Sequence, residues 1–297
     1  MPVPPDLPAA LFLHAGSSPE EPWLFQPEGW DWRWHSWREI AREVRARAEG
    51  LAAHPRGSRV AFPYAARPEA IVLDLAIQAA GLVAAPTSAP PPEPSPPQPS
   101  SPAPSLPPSP GEEGEKQEEV DLKAPSLPVR GEGRGRERGG WGSEGGGGAV
   151  VIRNGQPVEL SAADLIALAG RIQELIEPIG KRDIVVLGGP LEDPDERAML
   201  SWATLAGAAV VLEPNPALRL ATAAWARPTI FHGTADELTA LRQWVEKEKS
   251  RWLRRSPRLP FRRLRTVLVT GPEALGQEEK EFWEGRWVRV AGLSAMS

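Results

Sequence analysis

The sequence contains no cysteine, which excludes disulfides, thiolate metal sites and a cysteine nucleophile. Histidine is sparse. His14, His35, His54 and His232 are scattered without metal-ligand spacing, and His232 is expected to be a satisfied structural residue. No apolar run approaches the length needed to span a bilayer. The first residues, MPVPPDLPAALFLHAG, lack the basic start and sustained apolar stretch of a secretory signal. The expectation is a cytoplasmic protein with no transmembrane segment. Neither charge sign dominates, and a net charge of −5 gives no global reason to expect nucleic acid. Ser143, Ser161 and Ser294 have no neighbouring base or elbow motif, so serine hydrolysis has no support.

Proline and glycine are abundant, at 35 and 28 residues, and crowd the middle of the chain. Residues 90–110 are proline-rich, 111–119 acidic, and 130–148 alternate glycine with charge. Such compositions cannot bury enough apolar surface to offset chain entropy. Residues 87–148 are therefore expected to form a disordered linker. PxxP-like stretches within it are compatible with SH3 or WW ligands, but composition favours a plain spacer. The glycine run at 145–148 has no following Lys-Ser/Thr, so it is not a P-loop. Residues 1–22 are expected to be a flexible N-terminus.

The remainder alternates strands and helices. Trp30, Trp32 and Trp34 alternate with polar residues, as in a strand. Ser36 and Glu39 have capping-box spacing before a helix with Trp37, Ile40, Val44, Ala48 and Leu51 on one face. Residues 59–64, 70–80 and 82–85 read as strand, buried helix and strand, a unit that favours parallel pairing. Asn154-Gly155 between two apolar runs predicts a hairpin, followed by a helix started by Ser161 and Asp164. Strands are expected at 184–187, 208–212, 229–231, 266–270 and 287–291, with helices between them. The fold class is α/β: doubly wound, mainly parallel sheet layers, interrupted by a long disordered Pro/Gly-rich insert. The ordered parts are 23–86 and 149–297.

Several short stretches occur in the order seen in one family. They are Gly57-Ser58-Arg59-Val60-Ala61, Ala80-Gly81-Leu82-Val83-Ala84-Ala85-Pro86, and Arg227-Pro228-Thr229. Leu264-Arg265 with the strand after it, and the final Gly292-Leu293-Ser294-Ala295-Met296-Ser297, continue the series. On these residues the chain resembles the adenylate-forming (AMP-binding) superfamily, in particular its long-chain acyl-CoA synthetase branch. The resemblance implies a doubly wound fold, ATP and magnesium as cofactors, and activation of a carboxylate.

Residue by residue, the implied chemistry does not carry over. The family's phosphate loop is followed by a Val-x-Leu-Thr-type stretch, matched here by Val158-Glu159-Leu160-Ser161. Its Pro-Lys-Gly then falls on Gly155-Gln156-Pro157, and its hydroxyl-rich glycine loop falls on residues 148–153. Gln156 has no charge and Pro157 has no N–H to offer a phosphate. Glu196-Arg197 match a family Glu-Arg pair, but Asp193 stands at the family's histidine. Ala291 and Ala295 replace its tyrosine and magnesium-binding glutamate, and an alanine cannot anchor magnesium. The small lysine-bearing C-terminal domain is absent from the sequence.

A degenerate, shortened synthetase-like domain without adenylation activity is therefore expected, retaining acyl, CoA or nucleotide binding or a regulatory role. No catalytic or metal residue and no bound cofactor are expected. Gly271, Gly292 and Ser294 are vestigial cofactor-contact positions. The expected partners are an acyl or CoA small molecule, and an active relative or a separate C-terminal half. The alternative is an ATP-dependent carboxylate–CoA ligase, using ATP and magnesium with a partner that supplies that half. A third reading is a nonfunctional gene remnant. Arg251, Arg254, Arg255, Arg258, Arg262, Arg263 and Arg265 form a basic cluster that reads as a solvated face, with contact to phosphate or an acidic partner as the alternative. The tryptophans read as core residues.

Overall fold

A computed structural model describes residues 4–28, 31–64, 66–88, 147–153, 155–176, 182–252, 261, 263–269 and 275–292. The elements, in chain order, are α1 (Leu7–Ser17), β1 (Pro22–Glu28), β2 (Asp31–Ser36), α2 (Trp37–Leu51), β3 (Arg59–Tyr64), α3 (Pro68–Ala79) and β4 (Val83–Ser88). Then follow β5 (Gly148–Arg153), β6 (Gln156–Leu160), α4 (Ala162–Leu175), β7 (Ile184–Leu187), α5 (Pro194–Ala206), β8 (Ala209–Leu212) and α6 (Pro216–Ala226). Last come β9 (Ile230–Gly233), α7 (Ala235–Trp252), β10 (Thr266–Val269), α8 (Gln277–Glu284) and β11 (Arg289–Gly292). The expected disordered insert lies almost wholly outside the described residues. At its margins β4 runs on to Ser88 and β5 begins at Gly148, because Thr87 and Ser88 pair with Pro63 and Tyr64, and Gly148 pairs with Val83.

Two sheets form. The larger has the order β11–β10–β9–β7–β8–β1–β2 and the smaller β3–β4–β5–β6. In the larger sheet only the β1–β2 pairing is antiparallel, and in the smaller only β5–β6. The four strands expected to share a parallel sheet, here β7, β8, β9 and β10, do so.

Side-chain alternation explains why helices cover both faces of the larger sheet. Val185, Leu187, Val210, Leu212, Ile230 and Leu268 point into a core built with α1 to α5. Val186, Val211, Phe231, Val267 and Val269 point the opposite way, into a core with α6, α7 and α8. Successive strand residues face opposite sides, so a strand that is apolar throughout requires two covers. The first core joins residues from both sides of the insert, among them Trp23, Ile71, Ala149, Leu165 and Met199. The chain before and after the insert thus makes one folding unit.

The N-terminus departs from expectation. Residues 7–17 are not flexible but form α1, started by Asp6, whose Oδ1 accepts the Ala9 N–H at 2.7 Å. Leu7, Ala10 and Leu11 are buried, and the His14 ring packs at a tilt against Trp37, with centroids 4.7 Å apart. Burial of these apolar side chains is what holds a short helix that would be marginal in isolation. Trp37 stacks on Trp23, with ring centroids 4.4 Å apart, so β1 and the start of α2 share one aromatic pair. The expected capping box of Ser36 with Glu39 forms, and the helix start expected at Ser161 and Asp164 proves to be a second one.

The reading of the tryptophans as core residues needs correction. Trp23, Trp37, Trp202 and Trp283 are buried, but Trp34, Trp225 and Trp287 are exposed.

Candidate functional site

The carboxyl ends of parallel strands are where open α/β sheets place ligands. In the larger sheet these ends gather Gly188 and Gly189 after β7, Glu213 after β8, and His232 in β9. Two glycines permit the close approach. A Cβ on Gly188 would lie 2.4 Å from the Glu213 carbonyl oxygen, and one on Gly189 would lie 2.5 Å from Glu196 Cγ. Asp193 caps α5 by accepting the Asp195 N–H at 2.8 Å. That cap directs Glu196 inward, to 4% exposure.

Arg219 of α6 ties the cluster together. Its Nη2 donates to Glu196 Oε1 at 3.3 Å and to the His232 carbonyl at 2.8 Å, while Nη1 donates to Glu237 Oε1 at 3.0 Å. His232 Nδ1 lies 3.4 Å from the same Glu196 oxygen, and Nε2 has no hydrogen-bond partner among the described residues. The expectation of a satisfied structural histidine therefore holds for its burial but not for its ring nitrogens, since Nδ1 meets Glu196 only at 3.4 Å. Glu213 is occupied locally, accepting from Thr222 Oγ1 at 2.7 Å and from the Asn215 N–H at 2.9 Å.

Two carboxylates respond in opposite directions. Burial disfavours charge on Glu196, but its contact with His232, the Arg219 guanidinium and the Gly189 N–H outweigh this and hold it below the ordinary range. Asp195 is pushed up to about 6 by burial, with Asp193 and Glu196 adding to the effect and His232 opposing it.

A second buried pair lies behind. Arg197 Nη1 donates to Asp74 Oδ2 at 2.6 Å, and Gln78 Nε2 donates to the same oxygen at 2.7 Å. Arg197 Nε also donates to the Leu191 carbonyl at 3.2 Å. Burial, with Glu196 and Asp74 nearby, pushes the Tyr64 phenol up despite Arg197. The family-like Glu196-Arg197 dipeptide thus divides its work between the two networks.

The segment matched to the phosphate loop has a different form. β5 and β6 pair continuously from Ala149↔Leu160 to Arg153↔Gln156, so only two residues separate them. Gly148 serves packing, since a Cβ there would lie 2.4 Å from the Leu160 carbonyl oxygen. Gln156 and Pro157 belong to β6. Of the vestigial positions, Gly292 ends β11 opposite Val269. Gly271 and Ser294 lie outside the described residues, as do Arg254, Arg255, Arg258 and Arg262 of the basic cluster.

Sequence reasoning missed Tyr64, Asp74, Glu213, Arg219 and Glu237. A signal was present for two of them. Arg219 is the lone charge in α6, and Asp74 is the one charge in α3 beyond the first-turn Glu69, and such an interior charge requires a buried partner.

The fold can be placed by comparison with solved structures. CmiS6 superposes with a TM-score of 0.62 at 20% identity, over 97% of this chain and 70% of its own. The N-terminal domain of FACL13 from Mycobacterium tuberculosis gives 0.67 at 13% identity, over 97% of this chain and 75% of its own. FmoA3, a nonribosomal peptide synthetase, gives 0.67 at 17% identity, over 98% of this chain but only 32% of its own. The chain shares the fold of these structures. No family model matches the sequence, and no curated protein matches it. Among the described residues no helix is long and apolar enough to cross a membrane.

Proposed function

We propose that this chain is a degenerate AMP-dependent synthetase-like domain that no longer adenylates and has kept small-molecule binding, with an acyl group or CoA as the ligand class. The observation that carries this reading is the closed β5–β6 hairpin. A triphosphate needs an open loop of free N–H groups and a nearby cation. Here the strand ladder takes up that stretch, Gln156 replaces a cation, and Pro157 has no N–H. The residues at the phosphate-loop position do not fit ATP.

Thermal denaturation of the full chain tests this. Fatty acids or acyl-CoA should raise the melting temperature, because a ligand selective for the native state stabilises it, by about 2.7 kcal/mol at a hundredfold excess over Kd. Magnesium-ATP should leave it unchanged. A rise with magnesium-ATP would overturn the loss of the phosphate site and favour a carboxylate–CoA ligase completed by a partner. No rise with any acyl ligand would remove the binding role.

A further inference from the structure

The carboxyl-end cluster contains two buried acceptors that no donor of the cluster serves. Glu196 is held ionised and only accepts, so the His232 Nδ1 that faces its Oε1 at 3.4 Å carries the ring proton. His232 Nε2 is then a lone-pair acceptor. Neither it nor Glu196 Oε2 has a hydrogen-bond partner among the described residues. Yet His232 is only 2% exposed and Glu196 4%. Buried polar atoms are nearly always paired, and an unpaired one costs stability. Here two occur on side chains in contact, at the end of a parallel sheet where open α/β folds bind ligands.

Arg219 does not serve them. Its Nη1 donates to Glu237, and its Nη2 to Glu196 Oε1 and the His232 carbonyl. Its Nε lies 3.2 Å from where a Cβ on Gly188 would stand, and its guanidinium carbon lies 5.8 Å from the Phe231 ring centroid. One arginine therefore faces two carboxylates. Asp195, only partly buried and electrostatically coupled to both Glu196 and His232, adds a third.

We propose that this cluster binds a primary ammonium group at the far end of an acyl ligand, as in an ω-amino acid. This rests on the small-molecule-binding reading above and narrows its ligand class. An ammonium offers donors and a positive charge, and no acceptor, to two acceptors in acidic surroundings. A hydroxyl brings one donor without charge, and a saturated chain leaves both atoms unpaired. Among the described residues no group of three His, Cys, Asp or Glu could hold a metal ion, which favours an organic cation. The ligand's carboxyl lies away from its ammonium, because Glu196, Glu237 and Asp195 repel it and both Arg219 Nη atoms are engaged.

Titration of the full chain with ω-amino acids of six to twelve carbons tests the proposal, against unsubstituted, ω-hydroxy and α-amino acids of the same lengths. At one length or more the ω-amino acid should bind about tenfold tighter than the unsubstituted acid. Its affinity should rise as pH rises through about 6, where Asp195 ionises. Glu196→Gln should abolish the preference for the amine. His232→Leu, which leaves the Glu196–Arg219 pair in place, should reduce it about fivefold. The readout is the ratio of the two affinities, which a change in stability alone does not move. Equal binding of amino and unsubstituted acids at every length would overturn the inference and leave the small-molecule reading standing, whereas binding of none would overturn both. An ω-hydroxy or α-amino acid that matches the ω-amino acid, or a preference unchanged in both variants, would also overturn it.

Discussion

The two ends of the larger sheet are built from the same strands and carry opposite chemistry. At the carboxyl ends, charged side chains turn inward and meet each other. Arg219 alone touches Glu196, Glu237 and the His232 carbonyl. At the amino ends, arginines and two tryptophans turn outward. Substitutions at the first end should therefore change stability, and substitutions at the second should hardly do so. Buried groups cannot exchange a lost partner for water, and exposed ones can.

The largest effect is expected at the buried pair behind the site. Arg197→Ala should destabilise by about 3–5 kcal/mol in urea unfolding, because Asp74 would keep a buried charge without its partner. Arg197→Met combined with Asp74→Leu should recover much of that loss, since a well-packed apolar pair replaces a buried ion pair at little cost. A single-mutant loss below about 1 kcal/mol, the value of an exposed pair, would mean that water reaches it and would break the contrast.

Gly148→Ala should lower stability by about 1–3 kcal/mol, because its Cβ would strike the Leu160 carbonyl. Chemical unfolding reads this directly, and a neutral result would show that β5 and β6 can separate.

The pH dependence sharpens the carboxyl-end account. Asp195 titrates at about 6 in the fold against an ordinary 3.8, so the native state holds a proton that the unfolded chain has released. Stability from this group is present below the ordinary value and lost as pH rises through about 6. After allowance for its partial exposure, Asp195→Asn should stabilise by about 1 kcal/mol at neutral pH and have no effect near pH 4. Glu196 behaves in the opposite sense. Its folded value is lowered, so its contribution is present above the ordinary 4.5 and fades as pH falls through the folded value. Melting curves of Asp195→Asn and of Glu196→Gln at several pH values check the two directions. A stabilisation independent of pH would remove burial as its cause.

Ser161→Ala should cost about 1 kcal/mol through loss of the α4 capping box. Trp287→Gly should have the smallest effect, within about 0.5 kcal/mol or slightly stabilising, since glycine accepts φ 63° and little packing is lost. A large loss there would show that Trp287 is structural.

What the sequence made legible was local. Period-two tryptophans, Ser36-x-x-Glu39, the Asn154-Gly155 turn and the alternation of strand with helix are all encoded by near neighbours. Helix α1 was hidden because prolines precede it and its residues are apolar on nearly every side, so no helical face stands out. The buried networks were hidden for a different reason. Asp74 and Arg197 are 123 residues apart, and Arg219 meets Glu196 only after two crossovers. A lone charge in an apolar helix shows that a partner must exist, but only the topology supplies it. The outward tryptophans were misread because composition does not tell an indole on a turn from one in a core.

The proposed loss of the phosphate site is tested most directly by carboxylate-dependent exchange of labelled pyrophosphate into ATP. Across a wide panel of acyl acids, with magnesium and with or without cell lysate, exchange should not rise above the no-carboxylate control. Exchange that depends on a carboxylate and persists with the purified chain would contradict that loss, because the closed β5–β6 hairpin would then have to open around a triphosphate.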